Sequence, residues 1–595
     1  MTLTSPQTAS IPLSTSSRLA SAGTTLVAGT SESTASLGPR LSAPADAEVE
    51  AYLGRQHRWV IVAMNVSTLI TIVTLAQFAM RSWILYPFFV VLAVTFVGTL
   101  LALVTSVQPR RVSRESHHHT VAEYQPTTWP SVDVFLPTCG EPADVLANTY
   151  RHVAALEWPG EVSPVILDDA DRPEVRDLAL EFGFRYEVRP DRGHMKKAGN
   201  LAYGYAVTSS DVIAIFDADF CPRPDFLSHL VPYLADEKVG IVQSPQVFDA
   251  RAEMNWLERG AGAVQELFYR FIQPSRDTRG AAICVGTSAL YRRAALDANG
   301  GFTAIDHSED VYTGLDLQRN GYELRYVPVQ LSKGLAPDST AAFLTQQYRW
   351  GLGSISLMVS PAFRRLALTP LQRMAHWAGF LFYVTTAIGA LVTELPGILA
   401  LLVFPTTIEP VHYLGLLPAI WVRMVLVPMV YRIGIRFDVL RVEMLFGFAH
   451  MFAVIDGVRG RAAAWVTTSS DARAALEAPG MPLARRIAIT GVVVICTTIA
   501  LLGFSLTSAI AAHGLTKLWM PALVALVFLY TAVPVLVALL PVAFPALEAL
   551  RRPRVGSGIR STRDLTPQIE LPMAWPEACA LTSVIVCVAL AALFL

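Results

Sequence analysis

Residues 212–219 read Val-Ile-Ala-Ile-Phe-Asp-Ala-Asp, a run of five apolar residues followed by two alternating acids. A short apolar run that ends in acidic residues is typical of a buried strand in a parallel sheet. Such sheets bind ligands beyond the carboxyl ends of their strands. An isolated Asp-x-Asp is more often a capped turn, but its place after this run favours a binding site at Asp217 and Asp219.

Three further apolar runs, at Val132–Leu136, Val165–Leu167 and Gly240–Val242, alternate with stretches of helical period. This alternation indicates an α/β domain with a mostly parallel sheet. We expect the domain to occupy residues 108–375.

The loops that follow the first two runs are also acidic, with Glu141 after the first and Asp168 and Asp169 after the second. Three strand ends would therefore bring carboxylates to one rim, where like charges repel each other unless a cation neutralises them. Mg²⁺ or Mn²⁺ suits such a rim, because Mg²⁺ prefers one or two carboxylates together with phosphate oxygens. Asp217 and Asp219 are the candidate metal ligands.

A second acidic motif, His-Ser-Glu-Asp at residues 307–310, precedes a predicted helix over Tyr312–Arg319. One interpretation makes Ser308 the N-cap, with two acids stabilising the helix dipole. The same position also suits a general base that takes a proton from an incoming hydroxyl. Glu309 and Asp310 are therefore candidate catalytic residues.

The motif Gln-Gln-Tyr-Arg-Trp at residues 346–350 lies before an apolar stretch. Arginine pairs geometrically with phosphate, and the flat face of tryptophan suits a sugar ring. The alternative is an Arg-Trp anchor at a membrane interface. Gln346, Arg349 and Trp350 are candidates for contacts with an acceptor and a diphosphate.

The composition requires a membrane, because 53% of the residues are hydrophobic, only 16% are charged and the mean hydropathy is +0.42. A helix needs roughly 20 apolar residues to cross a bilayer. Seven stretches qualify: Trp59–Met80, Trp83–Val107, Trp377–Phe404, Val411–Ile433, Ile487–Ala511, Leu518–Phe544 and Ala578–Leu595.

Arginines after the second span and before the last one predict that both loops are cytosolic. The α/β domain then lies in the cytosol, on the same side as the amino terminus. Residues 1–50, rich in Ser, Thr, Ala and Pro, are expected to form a disordered tail. The remaining expected segments are two transmembrane helices (51–107), transmembrane helices (376–433), a cytosolic interfacial helix with a loop (434–486), transmembrane helices (487–546), a basic cytosolic loop (547–572) and a last transmembrane helix (573–595).

Two kinds of site find no support. The net charge of −1 gives no reason to expect a nucleic-acid partner, which needs a concentrated basic surface. The run His117–His119 follows the second span in a polar linker, and that context favours a solvated loop over a metal site.

Taken together and in order, the acidic pair at 168–169, the Asp-x-Asp at 217–219, the Ser-Glu-Asp at 308–310 and the Gln-x-x-Arg-Trp at 346–350 carry a resemblance. The chain resembles the processive family-two glycosyltransferases, specifically those of the bacterial cellulose synthase catalytic type, over about residues 50–545. Shorter segments also match: Lys197–Asn200, Val242–Gln246 and Cys284–Ser288.

The resemblance implies a GT-A fold, inserted between membrane helices, that binds a UDP-sugar with Mg²⁺ or Mn²⁺ and inverts the anomeric centre. Asp310 would be the base, with Glu309 beside it. Gln346, Arg349 and Trp350 would contact the acceptor and the diphosphate. The residues implied in holding the nucleotide-sugar are Thr138, Glu141, Asp168, Asp169, Lys197, Asp217 and Asp219.

The expected activity is polymerisation of a UDP-sugar, most readily UDP-glucose, into a β-linked polysaccharide that crosses a plasma membrane of the bacterial inner-membrane type. The partners would be the donor, the growing polysaccharide, the bilayer and, as candidates, accessory export subunits. Alternatives are a non-processive transferase acting on a lipid acceptor, a synthase of chitin, hyaluronan, mannan or mixed-linkage glucan, and a degenerate transferase kept as a scaffold. A degenerate transferase would be expected to have lost its catalytic acids, but this sequence contains all of them.

Three positions depart from the family pattern. Ser308 replaces a threonine, and Phe220 stands where cellulose synthases often have histidine. In a segment that resembles the family's gating loop, Ala464 and Ser469 replace phenylalanine and lysine.

Overall fold

The computed structural model describes residues 41–249, 254–403, 405, 409–431, 437–460 and 481–546. The predictions that fall outside the described residues are the tail before residue 41, the gating-like segment at 464–469, the loop at 547–572 and the last span.

Ten strands lie in the described residues: β1 (Val132–Thr138), β2 (Val162–Asp168), β3 (Arg185–Glu187), β4 (Val212–Ile215), β5 (Cys221–Pro222), β6 (Val239–Gln243), β7 (Val247–Phe248), β8 (Ala289–Arg292), β9 (Glu323–Tyr326) and β10 (Ser332–Gly334). Seven of them form one sheet in the order β3-β2-β1-β4-β8-β6-β9, and β5, β10 and β7 form a small second sheet. Only β8 runs antiparallel to its neighbours in the large sheet. The mostly parallel α/β domain is confirmed.

The helices that precede the large sheet are α1 (Asp46–Val49), α2 (Arg58–Ala79), α3 (Phe88–Ser106) and α4 (Arg114–Glu123). Those within the domain are α5 (Ala143–Ala154), α6 (Pro173–Glu181), α7 (Lys196–Val207), α8 (Phe226–Leu230), α9 (Trp256–Leu267), α10 (Gln273–Asp277), α11 (Arg293–Asn299), α12 (Glu309–Arg319), α13 (Thr340–Val359) and α14 (Pro361–Arg365). Those that follow are α15 (Pro370–Val392), α16 (Leu395–Val403), α17 (Leu417–Trp421), α18 (Val427–Tyr431), α19 (Phe437–Val458), α20 (Leu483–His513) and α21 (Leu515–Ala543).

The centre of the sheet is buried on both faces and mostly apolar. Every residue of β1 and β4 is buried, as expected for strands that helices cover on both sides. Helix α5 shows how the covering works, because its buried Leu146, Tyr150 and Val153 lie three or four residues apart on one helical face. Burying an aliphatic side chain of this kind stabilises the fold by roughly 1.5–3 kcal/mol.

Six helical stretches of the described residues are long and apolar enough to cross a membrane: Arg58–Ala79, Phe88–Ser106, Pro370–Val403, Val411–Val430, Leu483–His513 and Leu515–Ala543. They agree with the first six predicted spans. The fourth is irregular, since a 3-10 turn at Pro410–Leu416 and a π-helical turn at Val422–Leu426 flank short α-helices.

Helix α19 joins the sheet domain to the membrane helices. It packs against α9 and α13 on one side and against α15, α20 and α21 on the other. Small residues make the approach close: a Cβ added at Gly447 would lie 2.7 Å from Ala390, and one added at Gly457 would lie 2.7 Å from Ile355. This helix lies in the segment for which an interfacial helix was predicted.

Residues 41–53, most of which were expected to belong to the tail, bind along the sheet domain. Both carboxylate oxygens of Glu48 lie 2.8 Å from Lys333 Nζ. The carbonyl of Val49 accepts a hydrogen bond from the Gln330 amide at 2.8 Å, and Tyr52 is buried. We call residues 41–53 the amino-terminal strap. The composition of residues 1–50 did not predict this strap, because single residues anchor it and they follow no helix or strand periodicity.

The histidine run was predicted to be a solvated loop, and His118 and His119 are indeed exposed, but the run is helical and His117 is buried. It lies in α4, which Ser113 caps by accepting a hydrogen bond from the Ser116 amide. His117 is fully buried, with Nδ1 2.9 Å from the Tyr233 hydroxyl and Nε2 2.9 Å from His229 Nδ1. His117 therefore fixes the linker after the second span to the sheet domain.

Candidate active site

The acidic motifs converge because their strands are neighbours in the sheet. Strand β1 lies between β2 and β4 and runs parallel to both. Thr138 at the end of β1 is in register with Asp168 at the end of β2, and Asp217 follows β4 by two residues. All three side chains therefore start from the same edge of the sheet.

The early acidic pair is held by two arginines that the sequence analysis missed. Asp168 is buried and accepts hydrogen bonds from the Arg172 amide at 2.8 Å and the Tyr186 hydroxyl at 2.9 Å. Asp169 forms a bidentate pair with buried Arg189, at 2.6 and 2.9 Å. Nucleotide binding by these two acids stays a prediction, and in this structure their oxygens shape the loops after β2.

Arg172 also connects this pair to the loop after β1. Its guanidinium donates to the Glu141 carbonyl at 2.6 Å and to Thr138 Oγ1 at 3.1 Å. Glu141 Oε2 in turn accepts hydrogen bonds from the Thr138 hydroxyl at 2.5 Å and from the Cys139 amide at 2.6 Å. The loops after β1 and β2 thus form one hydrogen-bonded unit.

Lys197, at the start of α7, supplies a positive charge to the crevice. Its Nζ lies 2.5 Å from Asp217 Oδ1, 2.9 Å from the Gly286 carbonyl and 4.0 Å from Glu309 Oε1. Burial alone would lower the pKa of Lys197, but the carboxylates of Asp217 and Glu309 outweigh burial and raise it. The amine is therefore a permanent cation beside the acids.

The carboxyl of Asp219 is enclosed and lies close to other acids. Burial, followed by the charges of Asp217 and Glu141, raises the pKa of Asp219 to about 7. A cation would relieve this repulsion. Among the described residues, no three His, Cys, Asp or Glu side chains are grouped to hold a metal ion. Two carboxylates completed by phosphate oxygens are a donor set that Mg²⁺ accepts, so Asp217 and Asp219 stay a predicted metal site.

Phe220, the departure from the usual histidine, is buried against the small sheet. It packs edge-on against Phe248, and a Cβ added at Gly334 would fall 2.2 Å from its ring. The residue after the Asp-x-Asp is thus an apolar anchor for the loop.

Asp310 lies at the start of α12 in a confined place. Its Oδ1 accepts a hydrogen bond from the Val311 amide at 2.8 Å. Burial, followed by the charge of Glu309, raises the pKa of Asp310 to about 7 against the opposing effect of Lys197. Such a carboxyl is suited to accept a proton near neutral pH.

Ser308 does not cap helix α12 in the way that the capping interpretation predicted. Ser308 occupies the N-cap position, but its φ is +53° and its side chain makes no capping hydrogen bond. The acids at the helix start are therefore held by something other than a serine cap.

Helix α13 carries the third motif. Gln346, Arg349 and Trp350 are three and four residues apart, which places them on one helical face. Burial lowers the pKa of Arg349, while the carboxylates of Asp217 and Glu309 act on it in the opposite direction. Arg349 therefore lies within electrostatic reach of the acids, and Trp350 packs against the apolar core of the domain.

The predicted residues that the structure brings together are Lys197, Asp217, Asp219, Glu309, Asp310 and Arg349, with Glu141 and Thr138 at the rim. Asp168 and Asp169 lie behind that rim, where they are bound to the two arginines. Gln346 and Trp350 share the helix of Arg349.

A polar cluster continues from α13 towards the membrane helices. A Cβ at Gly351 would lie 3.4 Å from Tyr383 and 3.5 Å from His450, whose rings are 4.7 Å apart. His450 Nδ1 lies 2.7 Å from Thr386 Oγ1. Tyr383 is thus next to the residue that follows Trp350.

Trp377 and Trp421 are exposed on their helices, as interfacial anchors would be. Arg423 is paired with Glu443 of α19.

Residues 212–434 match the sequence profile of the family described as Glycosyl transferase family group 2. The chain is 34% identical over 265 residues to the UDP-forming cellulose synthase catalytic subunit of Xanthomonas axonopodis pv. citri, covering 43% of this chain and 36% of that protein. It is 34% identical over 273 residues to cellulose synthase 1 of Komagataeibacter xylinus, covering 44% of this chain and 18% of that protein. The chain thus spans about a third or less of the length of these two relatives.

Among solved structures, a mannosyltransferase from Pyrobaculum calidifontis in complex with GDP-Man and Mn²⁺ matches with a TM-score of 0.43 and 16% identity. The match covers 62% of this chain and 99% of that one.

Proposed function

We propose that this chain, whose central region is a cellulose synthase-like family-two glycosyltransferase domain, polymerises a UDP-sugar into a β-linked polysaccharide. The observation that carries the proposal is the convergence of Lys197, Asp217 and Arg349 with the partly buried acids Glu309 and Asp310. Two fixed cations facing a carboxyl that titrates near neutrality suit a diphosphate leaving group and a general base.

The proposed reaction is a single inverting displacement. The hydroxyl oxygen of the acceptor forms a bond to the anomeric carbon, the bond from that carbon to the diphosphate breaks, and the hydroxyl proton passes to Asp310. Lys197 and Arg349 hold the diphosphate and stabilise the charge that it gains. Asp217 and Asp219 would hold a divalent cation, which supplies further stabilisation of that charge when bound.

UDP-glucose is the proposed donor, because the Xanthomonas relative with 34% identity is named as a UDP-forming cellulose synthase. Thr138 and Glu141, tied together at the rim, would contact the nucleotide. Asp168 and Asp169 would act there through the loops that Arg172 and Arg189 hold. Trp350 would support the terminal sugar of the acceptor.

We also propose that the polymer passes across the plasma membrane through the chain's own helices, with the catalytic domain in the cytosol. A single span would suffice for an anchor, whereas six stretches qualify as spans. The position of Tyr383 and His450 directly behind α13 supports a polar route that starts beside Trp350. Arg110 and Arg111, just after α3, support the cytosolic orientation.

The test uses the purified full chain in sealed vesicles supplied with radiolabelled nucleotide-sugars and Mg²⁺ or Mn²⁺. We expect polymer from UDP-glucose alone, degraded by a β-glucan-specific hydrolase only after the vesicles are opened. Asp310→Asn vesicles serve as the control. Polymer made from another nucleotide-sugar would contradict UDP-glucose as the donor. Short glycolipid products would contradict polymerisation and indicate a non-processive transferase.

A further inference from the structure

Helix α12, which starts with the acidic pair, packs against helices that lead to the membrane. Val311, Tyr312 and Leu315 of α12 belong to an apolar cluster with Leu357 of α13 and Phe380 of α15. The two carboxylates of the Asp-x-Asp, in contrast, follow a strand of the sheet. Leu317, near the end of α12, also packs with Ile213 and Ile215 of that strand. Helix α12 thus lies between the sheet and the helices that lead to the membrane, and contacts at its start fix the proposed base relative to the crevice.

A side-chain hydrogen bond joins the loop before α12 to α13. His307 Nε2 lies 2.9 Å from Ser356 Oγ, and the Tyr312 hydroxyl lies 3.4 Å from the same oxygen. The Ser356 hydroxyl donates to the Gly353 carbonyl at 3.0 Å. Because its hydrogen is used there, Ser356 Oγ accepts from His307, which therefore carries its proton on Nε2.

The other ring nitrogen of His307 agrees with this assignment. Nδ1 is buried and has no hydrogen-bond partner within the part of the chain that the structure describes. A lone pair without a partner costs less there than an N–H or a charged ring would. The neutral Nε2–H form is thus the one that this environment accepts.

The next residue, Ser308, is held in an unfavourable backbone conformation. Its φ of +53° lies in the left-handed region, which non-glycine residues rarely adopt. A Cβ added at Gly353 would fall only 1.7 Å from Ser308 Oγ, so α13 approaches this point as closely as a glycine allows. Conformations of this kind persist only where surrounding contacts impose them.

We propose that His307 and Ser356 are positioning residues that form a latch between the loop at 307–308 and α13. The latch sets the place of Asp310 relative to Arg349, which lies two helical turns before Ser356. Neither residue touches the reactants. The inference rests on the proposed function only where turnover is the readout, because the latch also predicts a local structural effect.

The test compares His307→Phe, Ser356→Ala and the double variant with Ser356→Thr, which keeps the hydroxyl. Each is assayed in vesicles for kcat, for the KM of UDP-glucose and for UDP binding. Hydrogen–deuterium exchange is measured on the same proteins for residues 303–313, with residues 132–138 as an internal reference. His119→Phe, a change at an exposed histidine of α4, is the matched control.

We expect each single variant to lower kcat roughly tenfold, since small misplacements of a catalytic group are costly, with UDP binding unchanged. The kcat of the double variant should be no lower than that of the less active single variant, because both changes break the same hydrogen bond. Ser356→Thr should retain activity. Exchange at 303–313 should rise in the Phe and Ala variants while 132–138 stays protected. Additive losses, or unchanged exchange at 303–313, would overturn the latch. Wild-type protein that transfers no sugar but shows the exchange pattern would overturn the proposed function and leave the latch standing.

Discussion

Lys197 and Asp217 form an ion pair, with Nζ 2.5 Å from Oδ1, at the centre of a group of acids from three separate parts of the chain. Glu309 lies 4.0 Å from the same amine. The ammonium group is therefore the internal counter-charge of the crevice, and an incoming diphosphate would share it.

Lys197→Met should make the protein depend on added metal for its stability. The change removes the amine that pairs with Asp217 and lies 4.0 Å from Glu309, and removing one partner of a partly buried ion pair is destabilising. We expect a lower Tm in chelator and a larger rise on adding Mn²⁺ than in the wild type. Thermal denaturation measures this, with Lys238→Met at an exposed lysine as the control. Equal metal effects in all three proteins would contradict the role of Lys197.

Asp310→Asn should abolish most turnover without harming donor binding. An amide cannot accept the proton from the acceptor, so kcat should fall roughly 10²- to 10⁴-fold. Steady-state kinetics and calorimetric titration with UDP provide the measurements. Asp316→Asn, on the same helix, is the control. Full activity of the Asp310 variant would remove this residue from the role of base.

The rate should also depend on pH through Asp310. Burial raises the pKa of this carboxyl to about 7, so it is protonated and inactive as a base below that pH. We expect kcat to rise with pH, about tenfold per unit on the acid side, and to level off above neutrality. A pH profile of turnover tests this, and the residual rate of the Asp310→Asn variant should lack the acid limb.

Asp219→Ala should weaken UDP binding only when metal is present. Burial, followed by the charges of Asp217 and Glu141, raises the pKa of Asp219, and a bound cation would stabilise its charged form. The affinity of the variant for UDP should therefore be the same with and without Mg²⁺, whereas the wild type should bind UDP more tightly when Mg²⁺ is present. Asp236→Ala, at an exposed turn, is the control. An undiminished metal effect would refute Asp219 as a ligand.

Gly286→Ala should impair turnover more than stability. Gly286 has a φ of +75°, and an added Cβ would lie 3.0 Å from Asp310 Oδ2. The methyl group would displace the proposed base. Gly183→Ala is a matched control, because its φ of +70° is similar but nothing lies within 4 Å of the new Cβ. Equal kinetic losses in both variants would point to backbone strain rather than crowding.

The sheet and most of the crevice could be predicted because their signals are local. A run such as Val212–Ile215 is apolar throughout, and a strand buried on both faces needs nothing else. The acids that follow it were then placed at one rim by the general behaviour of parallel strands. The spans were predictable for the same reason, since lipid imposes length and apolarity on each helix separately.

The parts that escaped prediction depend on contacts between distant residues. Arg172 and Arg189 bind the acidic pair only once the loops have folded, and no spacing marks them. The burial of His117 depends on His229 and Tyr233, more than a hundred residues away. The amino-terminal strap relies on Glu48 meeting Lys333, a pairing that composition cannot reveal.

The mounting of α12 on helices that continue into the bilayer has a practical meaning for reconstitution. Lipids of different acyl length tilt or shift such helices, and a shift of α15 would be transmitted to Asp310 through the apolar cluster around Leu315 and Phe380. The choice of lipid or detergent therefore becomes a variable of the chemistry itself, and rates measured in different host environments should be compared only after bilayer thickness has been matched.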